Sequence, residues 1–94
     1  MYGTLMIGRP AVDIDKMKEA TRAWADDRGE AVGFVDERVL MADDGRIAVA
    51  VRFASREDYE RLAEDPKQDA WWSEVMAPML DGEPEWIDGE WTDL

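Results

Sequence analysis

The chain has 94 residues and a formal net charge of −12, from 23 acidic and 11 basic residues. A chain of this length makes one domain, residues 1–94, and buries only roughly 60–65% of its unfolded surface. The charge repels phosphate backbones and anionic membrane surfaces, which argues against nucleic acid or a membrane as partner, and the lack of Cys, His and Asn excludes disulfides, Ser-His-Asp or Cys-His catalysis and the usual ligands of zinc, copper and haem.

Tyr2 to Gly8 (YGTLMIG) is β-prone and stops at Gly8-Arg9-Pro10, which reads as a strand. Asp13 or Asp15 then caps a helix. Ile14, Met17, Thr21 and Trp24 recur at spacings of three and four, one face of that helix, and Gly29 closes it as a left-handed C-terminal residue.

Glu30 to Ala42 and Arg46 to Phe53 read as two strands joined by Asp44-Gly45, a strong hairpin signal. If the turn is the two-residue type, residues summing to 89 face each other. Glu37 then opposes Arg52, and Val39 and Met41 share a face with Ala48 and Ala50. Ile47, Val49, Val51 and Phe53 form the core face. The other face is also apolar, which one solvated face of an antiparallel sheet would not be. A second copy of the chain is the simplest cover for it, so the expected partner is a homodimer. Asp43-Asp44-Gly45 lacks the alternating acids of a calcium loop; the expected metal inventory is none.

Ser55 opens a further helix with Asp58 three residues on. Asp65-Pro66-Lys67-Gln68 restarts it, with Asp65 as N-cap, Pro66 in the first turn and Gln68 placed to reach back to the cap. Trp71, Trp72, Val75, Met76 and Met79 follow at helical spacing, until Asp81-Gly82-Glu83-Pro84 stops the run. Trp86 to Leu94 (WIDGEWTDL) reads as the last strand, with Gly89 as a candidate bulge.

The order β-α-β-β-α-β is that of a ferredoxin-like α+β fold: a four-stranded antiparallel sheet with its helices on one face. A cavity between the sheet and the helices is expected from the break at Asp65-Pro66, lined by Phe53, Tyr59, Trp71 or Trp72, and Met76. Such a wall suits a small apolar or aromatic ligand. Trp71 and Trp72 point about 100° apart on a helix; either one is core while the other packs under the last strand or at a subunit contact, or one walls the pocket. Arg52 pairs with Glu37 across the hairpin or anchors a ligand carboxylate or enolate. Ser55 is a cap, since nothing in the chain can activate it as a nucleophile.

The segments SREDYERLAEDP, QDAWWSEVMAPML and PEWIDGEW, with the overall layout, resemble the dimeric α/β-barrel superfamily, in its antibiotic-biosynthesis-monooxygenase-like branch. The resemblance implies two sheets packed face to face into a barrel between subunits. It also implies a small-molecule-binding protein and, as in the oxygenases of that branch, cofactor-free oxidation of an aromatic substrate, with Trp71 or Trp72 in the place of a helix-borne pocket Trp. The oxygenases' polar partners commonly include Asn, and haem-binding members supply a His; this chain has neither. No catalytic residue is assigned and the expected cofactor is none. The alternative is a non-catalytic structural or accessory dimer. The expected location is the cytoplasm, since no signal-like or membrane-spanning stretch is present.

Overall fold

The computed structural model describes residues 1–29 and 31–94. Glu30, with which the second strand was expected to begin, lies outside the described residues. The elements are β1 (Tyr2–Gly8), α1 (Ile14–Arg28), β2 (Phe34–Met41), β3 (Ile47–Phe53), α2 (Arg56–Ala63), α3 (Pro66–Trp71) and β4 (Glu85–Glu90). A π-helical turn, Trp72–Met76, and a 3-10 turn, Ala77–Met79, follow α3. The strands make one antiparallel sheet in the order β2-β3-β1-β4.

Local chemistry fixes the helix starts. The Asp13 carboxylate accepts from the Asp15 N–H at 3.0 Å, the Ser55 hydroxyl oxygen from the Asp58 N–H at 3.2 Å, and the Asp65 carboxylate from the Lys67 N–H at 2.9 Å. Each satisfies a donor that the first turn would leave orphaned. At its far end α1 stops at Gly29, whose φ of 77° is open only to residues that tolerate the left-handed region. Gln68 does not reach back to its cap as expected. Its side-chain oxygen accepts from the Trp24 indole N–H at 2.6 Å, tying α3 to α1.

The hairpin corrects the expected register by one residue. The loop is Asp43-Asp44-Gly45: the Ala42 N–H donates to the Arg46 carbonyl at 2.9 Å, and Gly45 takes φ 91°. Asp44 turns its carboxylate back to the Arg46 N–H at 3.0 Å. This is the three-residue hairpin, a turn followed by a left-handed glycine, in place of the two-residue one. Val39 therefore opposes Val49, Met41 opposes Ile47, and Asp36 opposes Arg52. The side-chain period of a strand is two, so the shift carries Asp36 to Met41 to the other face, while the bulge keeps Phe34 on the helix side opposite Phe53. Val39 and Met41 lie on the helix side. Leu40 joins Ala48 and Ala50 on the open side. Arg38, opposite Ala50, also belongs to the open side.

The bulge in the sheet lies between Phe34 and Asp36, not at Gly89, where β1 and β4 pair without a shift. Gly89 instead faces Gly3. A Cβ on Gly3 would strike the Val51 carbonyl, and the Trp91 indole N–H donates to that carbonyl at 3.1 Å. β4 ends at Glu90, shorter than the nine residues expected, although the Trp91 N–H still donates to the Met1 carbonyl at 2.7 Å.

Packing on the helix side is uneven. Met6, Met17, Ile47, Met76 and Leu80 form a buried cluster at one end of the sheet. Phe53 is fully buried at the other, with Phe34 and Tyr59 edge-on to it at 5.7 and 5.8 Å. Between these two centres Val49 and Val51, on an internal strand and facing the helices, remain only half-buried. The helices do not close over them.

Candidate binding cavity

That gap is a cavity of about 670 Å³, within the range of small-molecule sites. Thr4, Val39, Val49, Val51 and Phe53 make its floor. Met17, Thr21 and Trp24 of α1 form one wall, and Tyr59, Leu62, Trp71, Trp72 and Met76 another. Trp86 of β4 also borders it. The small side chains of the floor leave the volume, and the break between α2 and α3 holds the roof away from the sheet.

The structure brings together Phe53, Tyr59, Trp71, Trp72 and Met76 around this one space. Both tryptophans reach it. The Trp71 ring stacks on Trp24 at 5.6 Å and 8°, while Trp72 meets Trp86 edge-on at 4.9 Å and 66°. The π-helical turn begins at Trp72. Its wider winding changes the direction of the side chains that follow, as such turns do at many functional sites. Arg52 is not part of the cavity. It lies on the open side of the sheet with Asp36, its Nε 2.8 Å from one carboxylate oxygen and its second nitrogen 2.5 Å from the other. These hydrogen bonds hold the Asp36 carboxyl below its ordinary value and raise the guanidinium.

Four cavity groups were not read from the sequence as site residues: Trp24, Trp86, Arg28 and Glu37. Trp24 was read only as part of one face of the first helix, and Trp86 as the start of the last strand. Glu37 was taken as the partner of Arg52, and the corrected register turns it toward the helices instead. Glu37 meets solvent through the cavity mouth, yet protein surrounds it. Burial raises its carboxyl, and the nearby Arg28 opposes that rise. Tyr59 donates to an Asp88 carboxylate oxygen at 3.2 Å. Burial first, and then the Asp88 charge, push its phenol up, so it keeps its proton at neutral pH.

Chemically the site is an aromatic and aliphatic box with polar groups at its margins. Among the described residues no group of three or more His, Cys, Asp or Glu side chains could hold a metal ion. No helix among them is long and apolar enough to cross a membrane.

Solved structures of other proteins share the whole architecture of this chain. A candidate antibiotic biosynthesis monooxygenase from Nitrosomonas europaea superposes with a TM-score of 0.70 at 19% identity, over 96% of this chain and 97% of that one. The chain has the ferredoxin-like fold of the antibiotic biosynthesis monooxygenases. A monooxygenase from the ActVA-Orf6 gene of Streptomyces coelicolor, solved in complex with nanaomycin D, gives 0.68 at 14% identity over 97% and 88%. The haem degrader MhuD of Mycobacterium tuberculosis, solved with two haems in its active site, gives 0.57 at 19% over 98% and 99%. No protein-family model and no curated protein sequence matches the chain.

Proposed function

We propose that this protein binds a flat aromatic small molecule in the cavity between sheet and helices and oxidises it as a cofactor-free monooxygenase. The observation that carries the proposal is the half-buried pair Val49 and Val51 beneath an aromatic-walled space of about 670 Å³. A domain this small gains stability from filling such a space, so an open one suits an occupant. The fold shared with monooxygenases, one of them solved with nanaomycin D, supports the same reading. The chain has no redox-active side chain of the Cys type, so the substrate supplies the electrons. A ring CH₂ acidified through the rings by a ketone, as in an anthrone, becomes C=O, one atom of O₂ enters the product, and the other leaves as water with the two hydrogens. The protein's part is to bind, orient and exclude water, with the Tyr59 hydroxyl fixed at the wall by its hydrogen bond to Asp88.

The proposal includes a homodimer built on the open face of the sheet. Leu40 and Ile87 are exposed there at 67% and 49%, beside Leu5, Ala48 and Ala50, and Arg52 and Asp36 on that face pair with each other. Sheet-to-sheet packing would close these residues into a barrel.

The test is oxygen uptake with anthrone as substrate, measured above its rate of autoxidation. Catalysed uptake, together with a raised melting temperature in the presence of anthraquinone, is expected. Neither effect at saturating ligand would leave a non-catalytic dimer as the better reading.

A further inference from the structure

The basic residues are not spread evenly in this acidic chain. Among the described residues, Lys18, Arg22 and Arg28 border the cavity from α1 against only two acids, Glu37 and Asp69, in a chain of 11 basic and 23 acidic residues, Glu30 among the latter. None of these three basic residues forms an ion pair with a described residue. The four ion pairs found use Arg46, Arg52, Arg56 and Arg61, all outside the cavity. Arg28 is the most committed of the set. Its Nη1 donates to the Gly29 carbonyl at 2.9 Å, and its Nε is buried with no hydrogen-bond partner among the described residues.

A buried guanidinium donor left unpaired is costly, and most such groups find an acceptor. Arg28 ends α1, where the helix dipole already favours a cation. A ligand carboxylate at the mouth would give this cavity-lining guanidinium a charged acceptor, a pairing that guanidinium groups hold well. The low-dielectric walls would strengthen that contact, and the surrounding positive field would draw an anion into a protein that otherwise repels anions.

We infer that the cavity selects planar aromatic carboxylates, with the carboxylate held at its mouth by Arg28 and the ring system lying against the tryptophans. This deepens the proposed function and rests on it, since it names the class of ligand for the same cavity. Glu37 sets the counter-term. When ionised it repels the ligand carboxylate, so it limits affinity.

Three naphthalene probes separate the possibilities by quenching of tryptophan fluorescence at pH 7.5: 2-naphthoate, neutral 2-naphthalenemethanol and the cation 2-naphthylmethylammonium. The expected order is naphthoate tightest, by about tenfold over the alcohol, a difference of about 1.4 kcal/mol, and the ammonium weakest. Arg28→Met should abolish the preference of naphthoate over the alcohol while leaving alcohol binding within about twofold. Glu37→Gln should tighten naphthoate alone. Arg46→Gln removes the same charge from the hairpin turn and should leave the preference intact, which separates a local contact from net charge. Equal binding of naphthoate and the alcohol, or a preference that survives Arg28→Met, overturns the inference and leaves the cavity reading standing. If none of the probes binds, the cavity reading fails and this inference fails with it.

Discussion

Val51→Phe asks whether the space above the sheet is open. Val51 lies on the internal strand β3, between Thr4 of β1 and Glu37 of β2, and faces the cavity half-buried. A phenyl ring there has room to extend beneath Trp71 and Trp72. It would bury roughly 50 Å² more apolar surface than valine does, or about 1.2 kcal/mol at 25 cal/mol per Å². The small entropy cost of fixing the ring leaves a net gain of about 1 kcal/mol. In a domain of this size that raises the melting temperature by about 4–8 °C. The same substitution in a close-packed core would force side chains off their rotamers and cost about 1–3 kcal/mol. The sign of the shift therefore decides the matter, and differential scanning calorimetry at a fixed protein concentration reads it. The variant should also lose binding of 2-naphthalenemethanol. A fall in melting temperature of several degrees would refute the open cavity.

Trp71→Ala should cost about 2–3 kcal/mol in urea denaturation, of which about 0.5–1.5 is the stack on Trp24, because the ring is only half-buried; a loss above 4 would mean a fully packed side chain. Glu37→Gln should raise stability at pH 7–8. The folded state holds this carboxyl above its ordinary value of 4.5, so its ionised form disfavours folding at higher pH, and the advantage of glutamine should fade as pH falls to about 4.5 and below; a gain that grows on acidification would contradict the assignment. Leu40→Glu should turn a dimer into a folded monomer in sedimentation, since Leu40 is already largely exposed in the single chain and a charge in the sheet-to-sheet contact would have no partner. A wild-type protein that sediments as a monomer at micromolar concentration counts against the dimer itself.

The fold was legible because its signals are local and agree with one another. Asp13, Ser55 and Asp65 cap the helices, the Asp-Gly turn sets the hairpin, and Met17 and Met76 sit on the buried faces their spacing marks. The misreadings of the second strand trace to one missing fact, the length of the hairpin loop. Asp-Gly closes both two-residue and three-residue turns. The acid before it, Asp43, was the available sign that the loop began one residue earlier. That single residue moved Glu37 from Arg52 to the cavity, moved Leu40 to the open face, and gave Arg52 to Asp36. The aromatic wall was legible from helical spacing and the break at Asp65-Pro66. Trp24 was not, because its place beside the cavity depends on a contact with Trp71 and Gln68 more than forty residues away in sequence.

The tryptophan indoles offer the most direct test of the aromatic-binding cavity. Trp24, Trp71, Trp72 and Trp86 border it, while the Trp91 indole N–H is held by the Val51 carbonyl and Trp91 does not border it. In ¹H–¹⁵N spectra titrated with 2-naphthalenemethanol, the four cavity indole resonances should shift along one saturable curve while Trp91 stays in place. No saturable shift, or a shift confined to Trp91, would contradict the account.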